Sequence, residues 1–155
     1  MKLLVFSDSH RCMQYMENAI LDENPDAVLH LGDHDADAQR LSSTFPRLPI
    51  ASVQGNCDFY SPLGKEQIIA EWGGVRMMLT HGHKYQVKSG LLRLSYAAQE
   101  AGVQAVLFGH THIPYCENHN GIWLFNPGSC GSSRPSYGVI TIANGSADFQ
   151  LKRAD

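Results

Sequence analysis

The fold of this chain is decided at its amino terminus, by the stretch KLLVFSDSH at residues 2–10. A short run of strand length, apolar after its first residue, ends there in the polar cluster Asp8-Ser9-His10. Residues 13–23 follow with apolar side chains at helical spacing, which predicts the opening of a β-α unit. The polar cluster therefore lies where the first strand ends.

The same arrangement, an apolar run followed by a polar cluster, recurs four more times along the chain. Each apolar run predicts a buried parallel strand, and ligands of open α/β sheets gather at the carboxyl ends of such strands. Five strand ends can therefore place polar side chains around one point. The four further clusters are Gly32-Asp33, Gly55-Asn56-Cys57-Asp58, His81-Gly82-His83 and Gly109-His110-Thr111-His112.

The order of elements predicts an α/β fold of two mixed β-sheets packed as a sandwich flanked by helices, an αββα arrangement. Parallel units fill the first half, and Gly73-Gly74 suits a hairpin turn. A third helix is expected from a cap at Ser89 to about Gly102, and an antiparallel meander is expected over the last four strands. The predicted strands are 2–7, 27–31, 50–54, 66–72, 75–80, 105–108, 115–119, 121–125, 137–142 and 147–152, and the other helices are 13–23 and 35–43.

Length and composition favour one domain over residues 1–155, since 43% of the residues are hydrophobic and 17% are charged. No apolar run reaches the roughly 18 residues of a membrane helix, and the amino terminus turns polar too early for a signal peptide. The four cysteines lie far apart without C-x-x-C spacing, so reduced thiols are expected. We therefore expect a cytoplasmic protein with no membrane partner.

The charge pattern indicates which kinds of partner the protein can bind. With a formal net charge of −3 and 12 scattered Lys and Arg residues, the chain lacks the basic stripe that binding to long nucleic acid requires. Two bound divalent cations would still add about four positive charges at one place and attract a small phosphate ester. A homo-oligomer is an open alternative, because Phe59, Tyr60 and Trp72 suit either a core edge or a subunit interface.

The five clusters supply a mixed set of oxygen and nitrogen ligands for divalent metal ions. A lone His is more often structural, but five of the eight histidines fall in these clusters. The set is too large for one ion and suits two, each completed by water, with the Asp33 carboxylate bridging them. The candidate ligands are Asp8, His10, Asp33, Asn56, His81, His110 and His112.

Some neighbouring polar residues have two interpretations. Either His81 or His83 could reach the metals, and His81 is favoured because it is nearer the strand end. His34, Asp35 and Asp37 follow the second cluster closely and could be mistaken for ligands. We interpret them as a solvated helix start, where acidic side chains are favourable.

The motifs D-x-H, G-D, G-N-x-D, H-G-H and G-H-T-H, in this order and spacing, resemble those of the calcineurin-like metallophosphoesterase superfamily. The small size and the Asn-Pro-Gly-Ser segment at 126–129 are most similar to its YfcE-like small phosphodiesterases. The resemblance implies a dinuclear metal-dependent phosphodiesterase that hydrolyses small or activated phosphate esters by in-line attack of a metal-bridging hydroxide. It divides the ligands into one set of Asp8, His10, Asp33 and His112 and another of Asp33, Asn56, His81 and His110.

The resemblance also implies the cofactors and the catalytic residues. Two divalent metal ions are expected, Mn²⁺ first, with Ni²⁺, Zn²⁺, Fe²⁺, Co²⁺ and Mg²⁺ as alternatives. Beyond the turn at 126–128, Ser129 and Arg134 are candidates for lining the substrate cleft, with a solvated Arg134 as the alternative. The catalytic candidates are Asp33, Asn56 and His81, followed by Cys57, Asp58 and His83.

One departure from the family pattern concerns the third cluster. Most members have G-N-H-D or G-N-H-E, and here Cys57 stands in place of the His that stabilises charge or protonates the leaving oxygen. Cys57 could be an acid, a small packing residue or a redox-sensitive thiol, and His83 could supply the missing proton. A non-catalytic scaffold of the Vps29 type, which shares the subfamily's fold, and a phosphomonoesterase are the alternative functions.

Overall fold

The computed structural model describes residues 1–58 and 64–153. These residues form an α/β fold that begins with two β-α units. The strands are β1 (Lys2–Phe6), β2 (Ala27–His30), β3 (Ile50–Ser52), β4 (Gln67–Trp72), β5 (Val75–Thr80), β6 (Ala105–Leu107), β7 (Tyr115–His119), β8 (Ile122–Asn126), β9 (Ser136–Ala143) and β10 (Ser146–Arg153). The helices are α1 (Met13–Glu23), α2 (Asp35–Thr44) and α3 (Leu92–Ala101).

Both sheets are mixed, which confirms the predicted fold class. The first has the order β10-β9-β1-β2-β3, with β1, β2 and β3 parallel and β9 antiparallel to β1. The second has the order β4-β5-β6-β8-β7, with β5, β6 and β8 parallel. Each of the five polar clusters follows a strand of one of these two parallel sets.

Strand β1 shows why the first stretch of sequence determines the layers. Leu3 and Val5 pack in the core between the sheets, whereas Leu4 and Phe6 pack against α1. All four are fully buried, and burying each is worth about 2 kcal/mol. A strand that is apolar on both faces needs cover on both sides, which the second sheet and the helix supply. Helix α3 covers the outer face of the second sheet in the same way.

The expected meander of the last four strands is wrong. Strands β7 and β8 form a hairpin in the second sheet, whereas β9 and β10 form another in the first. Both edges of β8 are occupied by β6 and β7, so β9 pairs with β1 instead. The connection 127–135 therefore crosses from one sheet to the other, and Ser129 hydrogen-bonds to Asp8 O on the way.

The expected cap of α3 is also wrong. Ser89 ends a short 3₁₀ turn, Val87–Ser89, and α3 begins at Leu92. Between them Gly90 has a φ of +139°, a conformation that favours glycine and interrupts the helix. Val87 nevertheless packs in the same core as α3. The other predicted elements lie within two residues of their expected limits.

Two further expectations concern the surface. Phe59 and Tyr60, which were considered for an interface, lie outside the described residues. Trp72 is partly buried against the core between the sheets. No helix in the described part of the chain has the length and apolar character that crossing a membrane requires.

Candidate metal centre

The candidate ligands of the five clusters converge, and most of them fall into two groups. In the Asp8 group, which comprises Asp8, His10 and His112, the ligand atoms all lie within 4.8 Å of one another. The same holds for the Asp33 group, which comprises Asp33, His81 and His110. There is thus one group for each expected ion.

Short distances join the two groups. His81 Nε2 lies 3.5 Å from Asp33 Oδ2 and 3.7 Å from Asp8 Oδ1. Asn56 Oδ1, which supplies the seventh candidate ligand atom, lies 3.1 Å from the same nitrogen. His112 Nε2 lies 3.1 Å from Asp8 Oδ1. The side chains therefore surround one small volume at the carboxyl ends of the parallel strands.

The backbone is strained at most of these positions. Of the eleven non-glycine residues with positive φ in the described part of the chain, five are candidate ligands. This conformation costs roughly 1–2 kcal/mol per residue and persists where the surroundings enforce it, typically at functional sites. The five are Asp8, His10, Asp33, His110 and His112, with φ between +45° and +69°.

Two cluster glycines let the backbone approach the carboxylates. A Cβ atom on Gly55 would lie 2.1 Å from Asp33 Oδ1, and one on Gly109 would lie 2.8 Å from Asp8 Oδ2. Neither distance is possible between non-bonded carbon and oxygen atoms. A side chain at either glycine would therefore displace a candidate ligand.

A backbone carbonyl orients His81. Its Nδ1 donates to Leu31 O at 2.7 Å, which directs Nε2 at the two groups and is a common arrangement behind metal-binding histidines. Burial opposes protonation of His81, but its hydrogen bond to Asp33 and the charges of Asp8 and Asp33 outweigh burial and raise its pKa. A position that favours a proton between two carboxylates also favours a metal cation.

The donor chemistry of the site fits divalent metal ions. Asp8 is fully buried and Asp33 is 3% exposed, and neither pairs with a Lys or Arg among the described residues. Burial opposes ionisation of Asp33, but hydrogen bonds from His81 and Cys57 N hold its pKa well below the usual range. Burial lowers the pKa of His110 to about 4. Ionised carboxylates and neutral imidazoles are the forms that bind metal.

His83 lies beside the Asp33 group without belonging to it. The centroid of its ring is 5.5 Å from that of His81 and 6.1 Å from that of His110. Its Nδ1 is buried and has no hydrogen-bond partner among the described residues. Burial, together with the charge of His81, lowers its pKa. The site therefore has a neutral imidazole with an unused polar atom at its edge.

Cys57 contacts the site through its backbone and its side chain. Its N–H donates to Asp33 Oδ1 at 2.9 Å, and its sulfur lies 3.7 Å from Asn56 Nδ2. Burial and the charge of Asp33 raise the pKa of the thiol. The position that usually carries a His in this pattern therefore carries a neutral group.

The sequence did not reveal a buried network behind the Asp8 group. Asp37 was expected to be solvated and is buried, so that expectation is wrong. Its Oδ2 accepts hydrogen bonds from Ser9 Oγ at 2.7 Å and from Arg11 N at 2.8 Å. Ser9 Oγ accepts from His30 Nε2 at 3.0 Å, since Gly32 N donates to the other ring nitrogen. The network ties the first polar cluster to β2 and α2.

Asp58 joins the second and third clusters. Its Oδ1 accepts hydrogen bonds from His34 N at 2.8 Å and Asp35 N at 3.0 Å, and its Oδ2 accepts one from Gly55 N at 2.8 Å. The buried carboxylate thus lies at the amino end of α2, where a negative charge is favourable. These contacts are those of a positioning residue.

The two residues expected beside a substrate cleft differ in their surroundings. Ser129 is buried behind the site, with its Oγ donating to Asp8 O at 2.8 Å. Arg134 is exposed and lines a cavity that also includes His112.

Comparison with known proteins identifies the family. Residues 1–145 match the calcineurin-like phosphoesterase superfamily domain, and the chain belongs to this superfamily. It is 33% identical over 158 residues to the probable metallophosphoesterase YsnB of Bacillus subtilis. This alignment covers 97% of the present chain and 90% of YsnB. The chain is also 33% identical over 114 residues to the phosphodiesterase YfcE of Escherichia coli K12, over 66% of this chain and 57% of the relative.

Solved structures show the same fold. A conserved protein of Streptococcus pneumoniae, described as a predicted phosphoesterase, has a TM-score of 0.83 at 27% identity over 99% of this chain and 89% of its own. Vps29 of Entamoeba histolytica, complexed with Zn²⁺, has a TM-score of 0.77 at 20% identity over 100% of both chains. The likeness to Vps29 is one of fold alone.

Proposed function

We propose that the protein is a phosphodiesterase that uses two divalent metal ions and hydrolyses small or activated phosphate esters. One observation carries the proposal: two groups of ligand atoms, each within 4.8 Å, share one small volume. Ions about 3.5–4 Å apart are the usual centre for in-line displacement at phosphorus. The match to the phosphodiesterase YfcE supports a preference for diesters.

The Asp8 group would hold one ion, and His81, His110 and Asn56 would hold the other. The Asp33 carboxylate would be shared by both. When bound, the ions would polarise the phosphoryl oxygens and lower the pKa of a water molecule in the site.

The protein's own groups set orientation and proton transfer. Leu31 O keeps His81 Nε2 directed at the site, and Cys57 N holds Asp33 Oδ1. The leaving oxygen needs a proton, and His83 at the edge of the Asp33 group is the proposed residue to supply it. Because burial lowers its pKa, the ring would be a weak source of that proton at neutral pH. A thiol at Cys57 is a weak donor, so esters with good leaving groups should react fastest.

The test is hydrolysis by chelator-stripped protein with single metals restored. Bis(4-nitrophenyl) phosphate and 4-nitrophenyl phosphate compare a diester with a monoester of the same leaving group. We expect turnover of the diester to exceed that of the monoester and to be highest with Mn²⁺. No turnover with any of the six metals would contradict the proposal, and a higher rate on the monoester would indicate a phosphomonoesterase. The manganese preference and the cytoplasmic location stay predictions.

A non-catalytic scaffold is the second candidate, favoured by the likeness in fold to zinc-bound Vps29 and by Cys57 in the third cluster. Metal binding measured by calorimetry separates the two. Tight binding of two ions without hydrolysis would support the scaffold.

A further inference from the structure

A cavity of about 430 Å³ lies beside the candidate metal centre. Its walls come from three segments that are distant in sequence, residues 112–114, 132–134 and 151–153. His112, whose side chain is 46% exposed, is part of the wall. This space, the His112 cavity, therefore adjoins the Asp8 group directly.

The wall of the His112 cavity is cationic although the chain is acidic overall. Arg134, Lys152 and Arg153 line it and no described Asp or Glu does, whereas the whole chain has 15 acidic residues against 12 Lys and Arg. Lys152 Nζ is hydrogen-bonded to Glu23. Neither guanidinium group pairs with a carboxylate within residues 1–58 and 64–153. Two positive charges therefore face the cavity unmatched.

The segment that carries Arg134 is fixed against the first polar cluster. Gly131 N donates to Asp8 O at 3.2 Å, and a Cβ atom on Gly131 would lie 2.6 Å from Ser9 O. Arg134 N in turn donates to Ser132 Oγ at 3.3 Å. The guanidinium group thus extends from a backbone that is anchored beside the metal centre.

A second cavity adjoins residues 111–113 and has a different character. It measures about 280 Å³, and Val87, Leu91 and Phe108 line it together with Lys88 and Ile113. Ile113 is common to both walls. The two arms of a diester at the metal centre would therefore meet unlike surroundings, one mainly apolar and the other cationic.

We propose that the His112 cavity binds an anionic group on the arm of the diester that is not released. Guanidinium groups bind phosphate and carboxylate oxygens in pairs, so the preferred substrates carry a second phosphoryl or carboxylate group on that arm. This inference rests on the proposed phosphodiesterase function and names its substrate class.

Three diesters with one leaving group test the substrate class: 4-nitrophenyl phenyl phosphate, its 3-carboxyphenyl analogue and its 3-phosphonophenyl analogue. We expect the substitution R134Q to lower kcat/KM for the two diesters with a charged arm about fivefold more than for the diester with the uncharged phenyl arm. A fall confined to the phosphonate would assign the site to phosphoryl groups, and one confined to the carboxylate would assign it to carboxylates. Added salt should reduce the difference.

The matched control is R76Q, because Arg76 is exposed at the amino end of β5, opposite the ligand clusters. It should leave all three rates unchanged. If the double variant R134Q/R153Q discriminates between the charged arms and the uncharged phenyl arm as the wild type does, the proposal is overturned. Calorimetric binding of diphenyl phosphate, 3-carboxyphenyl phenyl phosphate and 3-phosphonophenyl phenyl phosphate tests the cavity even if no diester is hydrolysed. Equal wild-type affinities for all three would overturn the proposal, independently of the proposed activity.

Discussion

The Asp8 group and the Asp33 group are held by different kinds of contact. A buried side chain, Asp37, fixes the loop of the Asp8 group by accepting hydrogen bonds from Ser9 and Arg11. Backbone atoms contact the members of the Asp33 group directly, since Leu31 O orients His81 and Cys57 N donates to Asp33, while the Asp58 carboxylate holds the loops around them. Each group should therefore depend on a different buried carboxylate outside the candidate ligands, Asp37 for the Asp8 group and Asp58 for the Asp33 group.

The largest expected effect on activity comes from Asp33→Asn. This substitution should weaken metal binding at both groups alike. We expect kcat/KM to fall at least about 100-fold, because in the proposed centre this carboxylate would be shared by both ions. Hydrolysis of bis(4-nitrophenyl) phosphate is the measurement, with the exposed Asp22→Asn as control. An intact rate would show that Asp33 does not bridge two ions.

Asp37→Ala and Asp58→Ala should show that metal binding at the two groups depends on different residues. Each removes the acceptor behind one polar loop, and loss of such outer contacts typically weakens metal binding about 10- to 100-fold. In a His10→Ala background, which disables the Asp8 group, calorimetry should show that Asp58→Ala weakens the remaining site and Asp37→Ala does not. Asp22→Ala is the control, and circular dichroism checks that each variant folds. Equal effects in that background would refute the separation.

Cys57→His changes only the surroundings of the Asp33 group. We expect about a tenfold higher rate on esters with poor leaving groups, since an imidazolium donates a proton more readily than the Cys57 thiol, whose pKa is raised. Cys57→Ala is the control and should change little. An unchanged or lower rate for Cys57→His would rule out a deficit of general acid.

Glu23→Gln lies outside both groups and should change only the stability of the fold. Glu23 on α1 is bonded to Lys152 on β10 and to Tyr137 on β9, and its pKa is lowered by these contacts, chiefly by Lys152, against burial. Because the pKa of Glu23 is lower in the folded state than its ordinary value of 4.5, the ionised side chain stabilises the fold at pH values above 4.5. This stabilisation is lost as the pH falls through the pKa of the folded state. At neutral pH the variant should lose about 1 kcal/mol of unfolding free energy.

Denaturant unfolding at several pH values measures this loss. The difference between wild type and Glu23→Gln should shrink below pH 4.5. Glu17→Gln on the same helix is the matched control and should show no such difference. Activity at neutral pH should be unchanged in both variants.

The sequence predicted the donor residues and the strand ends because both are local properties. An apolar run such as residues 2–6 requires cover on two faces whatever surrounds it, and the polar residues after it must then lie at the edge of the sheet. The burial of Asp37 could not be predicted in this way. Asp35 and Asp37 both suit a helix start, and the hydroxyl of Ser9 that makes Asp37 different lies 28 residues away along the chain.

By itself, then, the sequence determined the αββα class and placed the candidate ligands after parallel strands, through periodicity that each segment carries alone. The tertiary structure decided which strands pair, because pairing depends on which strand edges are still free. Strand β9 does not continue the expected meander, because β6 and β7 occupy both edges of β8. The connection from β8 to β9 places Ser129 and Arg134 beside the Asp8 group. The guanidinium groups of the His112 cavity, which have no carboxylate partner within residues 1–58 and 64–153, reach it through that crossing, and no local sequence pattern predicts it.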